Sequence, residues 1–115
     1  VLAHFKKVRA EFPFSPILVG GDSAGANMAL ALVQDLGQEF VPKTKDMMMA
    51  LYILYGWLDL TRSEEEYPNN REEIFLEASY MPITSDRFRG DLSADDPRIS
   101  PLFGDLSDLP LTRIR

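Results

Sequence analysis

A serine flanked by two glycines is the group in this sequence whose setting best fits nucleophilic chemistry. Residues 21–25 read Gly-Asp-Ser-Ala-Gly, which matches the G-x-S-x-G pattern of a nucleophile elbow, a sharp turn from a strand into a helix. In such a turn the serine, here Ser23, takes a strained backbone conformation and its hydroxyl stands clear of the sheet. The pattern therefore predicts Ser23 as a nucleophile.

The neighbours of Ser23 have predicted roles in the same turn. The chain reverses so sharply that the positions two before and two after the serine come close together, so a Cβ at Gly21 or Gly25 is expected to clash. The amide of Ala24 is expected to point to the place where an oxyanion forms, at a helix N-terminus whose dipole favours negative charge. The sequence thus predicts an oxyanion donor beside the nucleophile.

The elements that must position the serine are visible on both sides of it. Ile17–Val19 is a short, continuously apolar run typical of a strand buried in a parallel sheet. After Gly25 strong helix formers follow, with a helix predicted over 24–36 that ends near Gly37. A phosphate-binding loop is the alternative for a glycine-rich segment before a helix, but neither G-x-G-x-x-G nor G-K-[ST] is present.

The rest of the chain predicts an α/β fold. Apolar residues recur at helical spacing over 1–12, which indicates an amphipathic helix. Strands are predicted at 17–22 and 50–55, and a further strand begins at Leu111. The alternation of helices and strands predicts about three parallel neighbours joined by right-handed crossovers, with the helices 1–12 and 24–36 packed on the sheet.

Composition excludes several classes of function. The 115 residues are 45% hydrophobic and 26% charged, as in ordinary soluble globular proteins, and the net charge is −6. An acidic chain is not expected to bind nucleic acid or an anionic membrane as its main partner. The chain has no cysteine and a single histidine, so no metal site is predicted. No apolar run approaches ~18 residues, so no membrane span is predicted.

Three further groups of residues have side chains that could take part in chemistry, but their settings predict structural roles. His4 is predicted to be a surface or packing histidine, because helix and strand lengths place it short of the Ser23 end of the sheet. Asp59, which follows the second strand, is expected to serve a local turn rather than a triad. The three methionines at 47–49 are expected to pack in the core.

Residues 61–96 form a long, charged segment between strands, and we expect a lid or cap with two short helices. Thr84 or Ser85 is predicted to cap a helix around 86–89. The acidic runs in this segment are expected to be a solvated face rather than a metal site.

Four motifs in order resemble those of the hormone-sensitive-lipase-like esterases, which have the α/β-hydrolase fold. They are Gly-Asp-Ser-Ala-Gly at 21–25, Leu58-Asp59 after the next strand, Asp-Pro-x-x-Ser-Pro at 96–101 and Asp-Leu-x-x-Leu-Pro at 105–110. The resemblance covers nearly the whole chain. The elbow alone points only to the fold, whereas its combination with residues 96–101 is quite specific to this family.

The resemblance implies a Ser-Asp-His triad that hydrolyses carboxylic esters. Only the nucleophile, Ser23, and one oxyanion donor, the Ala24 amide, can be transferred to this chain. The family's His-Gly-Gly-Gly type loop is absent, and its catalytic aspartate and histidine would lie beyond Arg115. Ala26, where the family often has a second glycine, and Leu111, in place of a second proline after residue 110, are departures from the family pattern.

Both ends of the chain suggest that it is cut from a longer one. It opens at Val1 inside a predicted helix without an initiator methionine, and it closes on a strand that is just starting. We therefore expect residues 1–115 to be a single, partial α/β-hydrolase domain.

The resemblance also implies the partners. The substrate would be a small-molecule ester with a small to medium acyl chain, and no cofactor is implied, because serine acyl transfer needs none. The cytoplasm is slightly favoured as the compartment. Two alternatives stay open: a hydrolase-fold binding module that has lost catalysis, and a peptidase or amidase on the same fold.

Overall fold

A computed structural model describes residues 1–39, 48–63 and 79–115. Its elements, in chain order, are helix α1, strand β1, helix α2, strand β2, helix α3, a single 3-10 turn and strand β3. Their bounds are α1 Leu2–Glu11, β1 Ile17–Asp22, α2 Ser23–Glu39, β2 Met49–Leu54, α3 Tyr80–Arg89, the 3-10 turn Pro101–Phe103 and β3 Leu111–Ile114. No helix in these ranges is both long enough and apolar enough to cross a bilayer.

The strands of the described residues form one parallel sheet in the order β1-β2-β3. Ile17 lies opposite Met49 in the first pair, and Ala50 lies opposite Leu111 in the second. Because all three strands run in the same direction, their carboxyl ends meet at one edge of the sheet, where parallel α/β sheets carry their sites. The predicted parallel α/β sheet is confirmed.

The core lies between the sheet and α2. Alternate residues of the first two strands point to the same face, and on β2 those residues, Met49, Leu51 and Ile53, are all buried. The apolar stripe of α2 packs against them, together with Phe5 of α1. The helix side of this core is Ala26, Ala29, Leu30, Leu32, Val33 and Leu36. This packing fixes α2 over the sheet and therefore fixes the position of Ser23, the first residue of the helix.

Element boundaries differ from the prediction by a few residues. Helix α2 does not end near Gly37 but continues through it to Glu39. Strand β2 covers 49–54 rather than 50–55, because Tyr55 has a positive φ of 32° and leaves the extended conformation. Of the methionines predicted to be in the core, Met49 is buried, Met48 is exposed with φ 50°, and residue 47 lies outside the described residues.

The predicted cap of the helix around 86–89 is wrong. Helix α3 begins six residues earlier, at Tyr80, and Pro82 sits in its first turn, where a missing backbone donor costs little. The Thr84 hydroxyl donates back to the carbonyl of Tyr80 at 2.9 Å, while Ser85 is buried and donates to the carbonyl of Leu60 at 3.0 Å. Residues 64–78, including one of the two helices expected in the lid, lie outside the described residues.

Candidate active site

Ser23 occupies the turn between strand and helix with no loop in between. β1 ends at Asp22, and α2 begins at Ser23 itself. Ser23 has a φ of 50°, in the left-handed region that costs a non-glycine residue about 1–3 kcal/mol and persists only where the surrounding structure imposes it. Its side chain is exposed. The strained conformation expected of an elbow serine is confirmed.

The backbones of Gly21 and Gly25 lie close together, but only Gly21 lacks room for a side chain. A Cβ built on Gly21 would collide with the carbonyl carbon and oxygen of Gly25 and lie 2.8 Å from the amide nitrogen of Ala26. A Cβ built on Gly25 would meet nothing within 4 Å. The clash predicted at Gly25 is therefore wrong. A Cβ at position 25 would point into open space, whereas a Cβ at position 21 would point into the backbone of Gly25 and Ala26.

The amide of Ala24 lies in the first turn of α2, which runs for 17 residues. The first backbone donors of a helix have no partner within it, and the helix dipole places partial positive charge there. Such an amide can donate to an oxyanion formed beside the Ser23 hydroxyl.

Asn27, one turn into α2, is a site residue that the sequence analysis missed. Its side chain is 1% exposed, and its Nδ2 donates to the carbonyls of Trp57 at 2.8 Å and Ile99 at 2.7 Å. The Trp57 amide in turn donates to the carbonyl of Ser23 at 3.2 Å. A polar residue on the apolar face of a helix was the only signal available in the sequence.

The motif at residues 96–101 is tied to the loop that follows β2. The Ser100 hydroxyl is fully buried, donates to the carbonyl of Ala94 at 2.5 Å and accepts from the amide of Leu60 at 2.8 Å. Leu60 also accepts the hydrogen bond from Ser85 of α3. A series of hydrogen bonds thus runs from the segment 94–100 through the loop after β2 to α3.

Asp96 begins this motif by closing a turn. Its carboxylate accepts from the backbone amide of Arg98 at 2.9 Å and pairs with the Arg98 guanidinium at 2.6 Å. These two hydrogen bonds lower the pKa of Asp96 from 3.8 to about 2. The carboxylate is therefore ionised at neutral pH, and it serves the turn.

This pKa predicts an acid-dependent loss of stability. Because the folded-state pKa of Asp96 lies below its ordinary value, the ionised carboxylate stabilises the fold above about pH 4, and this stabilisation disappears as the pH falls toward 2. We expect Asp96→Asn to be less stable than the wild type at pH 6 and the difference to shrink by pH 3. Urea unfolding at both values measures it. A difference that stays constant between pH 6 and pH 3 would contradict the pairing.

Asp59 has the local role that was expected of it. Its Oδ1 accepts from the amide and the hydroxyl of Thr61 at 2.9 and 2.6 Å, and Arg62 lies 3.8 Å from its Oδ2. His4 is exposed on α1. The hydrogen bonds and the ion pair of Asp59 are with Thr61 and Arg62 rather than with Ser23. Within the described ranges no three acidic or histidine side chains group as they would around a metal ion.

A cleft of about 340 Å³ opens at the carboxyl end of β2. Its walls are the apolar side chains of Trp57, Leu58 and Leu102 together with the charged pair of Asp59 and Arg62. Ser23 is not among the residues that line this cleft, but the amide of Trp57, one of the lining residues, donates to the carbonyl of Ser23. A volume of this size is at the lower end of small-molecule sites.

The chain belongs to an α/β-hydrolase-fold family, whose sequence profile matches residues 1–114. An esterase of Acinetobacter venetianus is 37% identical over 102 residues, which cover 86% of this chain and 32% of that protein. A triacylglycerol lipase of Mycobacterium tuberculosis is 30% identical over 105 residues, covering 91% of this chain and 19% of that protein. The resemblance to the hormone-sensitive-lipase-like esterases is confirmed.

A solved structure supports the fold independently. The crystal structure described as EstE5-PMSF superposes with a TM-score of 0.76 at 20% sequence identity, over 98% of this chain and 37% of that one. At this identity the similarity establishes the α/β-hydrolase fold alone. The chain spans about a third of the length of the Acinetobacter esterase and a fifth of that of the Mycobacterium lipase.

Proposed function

We propose that this chain supplies the nucleophile segment of a carboxylic ester hydrolase. The single observation that carries the proposal is the backbone of Ser23, which is strained, exposed and at the N-terminus of a helix on a parallel sheet. The similarity of the chain to an esterase and to a triacylglycerol lipase supports ester cleavage as the reaction. By the full-length protein we mean this chain together with the remainder of such a hydrolase domain.

In the proposed mechanism the Ser23 oxygen attacks the ester carbonyl carbon while a general base takes its proton. The carbonyl oxygen becomes an oxyanion, which the Ala24 amide stabilises by a hydrogen bond. The tetrahedral intermediate collapses, the C–O bond to the alcohol breaks, and the alcohol leaves with the proton from the base. Water then attacks the acyl group on Ser23 by the same steps and releases the acid.

We propose that the triad aspartate and histidine and the other oxyanion donors lie in sequence outside this chain, and that residues 1–115 are one part of the catalytic domain. Residues 61–96 then belong to a lid or cap over the site. Substrates with small to medium acyl chains are proposed from the similarity to esterases, and the cleft of about 340 Å³ at the carboxyl end of β2 has room for such a chain.

Paired substrates test the proposal. The full-length protein should hydrolyse p-nitrophenyl acetate and butyrate faster than p-nitrophenyl palmitate, and it should hydrolyse the ester of a given acyl group far faster than the matching p-nitroanilide. The anilide as the better substrate would assign the protein to the peptidases or amidases. No turnover of any of them, in protein that is folded, would assign it to a binding role.

The isolated chain gives a further prediction. Residues 1–115 expressed alone should show no ester turnover above the uncatalysed rate, because a serine hydroxyl needs a base within about 3 Å and the only histidine, His4, is exposed on α1. Hydrolysis of p-nitrophenyl acetate measures this, with His4→Ala as the control. Turnover that is present in residues 1–115 and lost in His4→Ala would show that His4 is the general base, contrary to this prediction.

A further inference from the structure

The residue Trp57 is held at both ends of its backbone by the first turn of α2. Its amide donates to the carbonyl of Ser23, and its carbonyl accepts from Nδ2 of Asn27. The same Nδ2 donates to the carbonyl of Ile99. We name these four residues, Ser23, Asn27, Trp57 and Ile99, the elbow brace.

The orientation of the Asn27 amide is fixed by its partners. Two carbonyl oxygens face one end of the side chain, so that end must be the NH2 group, which has two protons to donate. The other end, Oδ1, is buried and has no partner among the described residues. A polar side chain that is 1% exposed and leaves its own acceptor unpaired is not at this position for general packing.

The elbow brace includes Ser23, the residue of the elbow whose backbone conformation is strained. Ser23 is in a conformation that persists only when its surroundings impose it, and its carbonyl is bonded to Trp57. Through Asn27, Trp57 is joined to a segment 72 residues further along the chain than Asn27. The brace therefore connects the elbow, the loop after β2 and the motif at 96–101 at one point.

We propose that Asn27 is a positioning residue for ester hydrolysis: it holds Trp57 and Ile99 against the first turn of α2 and so keeps Ser23 in its strained conformation. This inference rests on the proposed function. It also gives a physical reason for the motif at 96–101, which supplies one of the two carbonyls that orient the Asn27 side chain.

Kinetics of the full-length protein separate positioning from packing. In Asn27→Ala both carbonyls lose their donor, and we expect kcat to fall by about 10²-fold, a loss that a misplacement of about 1 Å can cause, with KM changed less than about threefold. Asn27→Asp keeps the shape but turns a carboxylate oxygen toward both carbonyls, and it should be at least as slow. A purely structural role predicts instead that both variants lose stability while the kcat of the protein that remains folded stays close to the wild-type value.

Gln34 provides the matched control. It lies on the same helix and donates its Nε2 to the carbonyl of Pro101 at 2.8 Å, within the same motif but about three helical turns away from Ser23. Gln34→Ala should lose thermal stability and keep the wild-type kcat. A loss of kcat in Gln34→Ala equal to that in Asn27→Ala would show that the motif acts only through general stability, and it would overturn the proposal.

A double-mutant cycle on thermal stability tests the elbow brace without a measurement of enzymatic activity. Glycine adopts positive φ freely, so Ser23→Gly should raise the Tm of the wild-type background. If Asn27 maintains the strain, the increase should be smaller in the Asn27→Ala background, where Ser23 has already relaxed. Equal increases in both backgrounds would overturn the proposal even if the protein proves to be an active esterase.

The same cycle keeps the inference separate from the proposed function. If the wild-type protein hydrolyses no ester, the proposed function fails while the Tm values still report on the brace. Asn27→Ser, a smaller donor that can reach one carbonyl, should fall between Asn27→Ala and the wild type in kcat. Failure of Asn27→Ala and Asn27→Ser alike to fold would mark Asn27 as purely structural and contradict a positioning role.

Discussion

Replacement of Ser23 by alanine is expected to lower the kcat of the full-length protein for p-nitrophenyl esters on the order of 10⁶-fold, the effect of removing a triad nucleophile. The reason is that no other group in the elbow can form the acyl-enzyme, while the oxyanion donors alone give weak catalysis. The thermal stability of Ser23→Ala should match that of the wild type or exceed it, so the loss cannot be attributed to unfolding.

Ser107→Ala is the matched control, since Ser107 is exposed and follows Asp105 in a turn away from the elbow. It should keep the wild-type kcat. Retention of more than about one per cent of activity in Ser23→Ala would contradict the assignment, because loss of a true nucleophile leaves far less.

Gly21→Ala is expected to have the second large effect. The added methyl would collide with the backbone of Gly25 and approach Ala26, and backbone atoms at a strand-helix junction cannot move aside as a side chain can. We expect the free energy of unfolding to fall by about 3 kcal/mol or more, with activity lost in whatever folds. Denaturant unfolding and p-nitrophenyl acetate turnover measure the two effects.

Gly25→Ala provides the contrast. Its new methyl would meet nothing within 4 Å, and alanine in a helix is favoured over glycine by up to about 1 kcal/mol. The variant should therefore be as stable as the wild type and should remain active. Severe destabilisation by Gly25→Ala together with tolerance of Gly21→Ala would show that the geometry of the elbow differs from the one described.

The sequence predicted those features that local pattern determines. The elbow, the strands at 17–22 and 111, and the parallel order follow from short apolar runs, glycines at fixed spacing and the alternation of strand with helix. A local turn role was also predicted for Asp59, whose carboxylate accepts from the amide and the hydroxyl of Thr61. The elbow, the strands and the turn depend on neighbours only a few residues apart, and the parallel order follows from the helix or long segment that separates successive strands.

Features that depend on distant partners were missed. Asn27 bonds to residues 30 and 72 positions away, and no spacing rule reports such a contact. Ser85 was assigned to a helix cap because serine prefers that position, whereas its hydroxyl pairs with the carbonyl of Leu60 across the fold. The direction in which a Cβ at Gly25 would point depends on the helix that follows and cannot be read from the motif G-x-S-x-G.

The exposure of Met48 also could not be predicted from the sequence. Its apolar side chain and its place before a strand favoured the core, but a positive φ turns it outward while Met49 next to it is buried. Hydropathy gives the average environment of a short apolar run, and the backbone conformation decides which member of the run faces the core.

The measurement that tests the central claim most directly is site mapping with a fluorophosphonate. The reagent phosphonylates only an activated serine, so treatment of the full-length protein followed by digestion and mass spectrometry identifies the nucleophile without any assumption about the substrate. We expect a single modified peptide, containing residues 21–25 with the adduct on Ser23, and no adduct in Ser23→Ala. An adduct on another serine, or none in a folded protein, would contradict the assignment of Ser23 as the nucleophile.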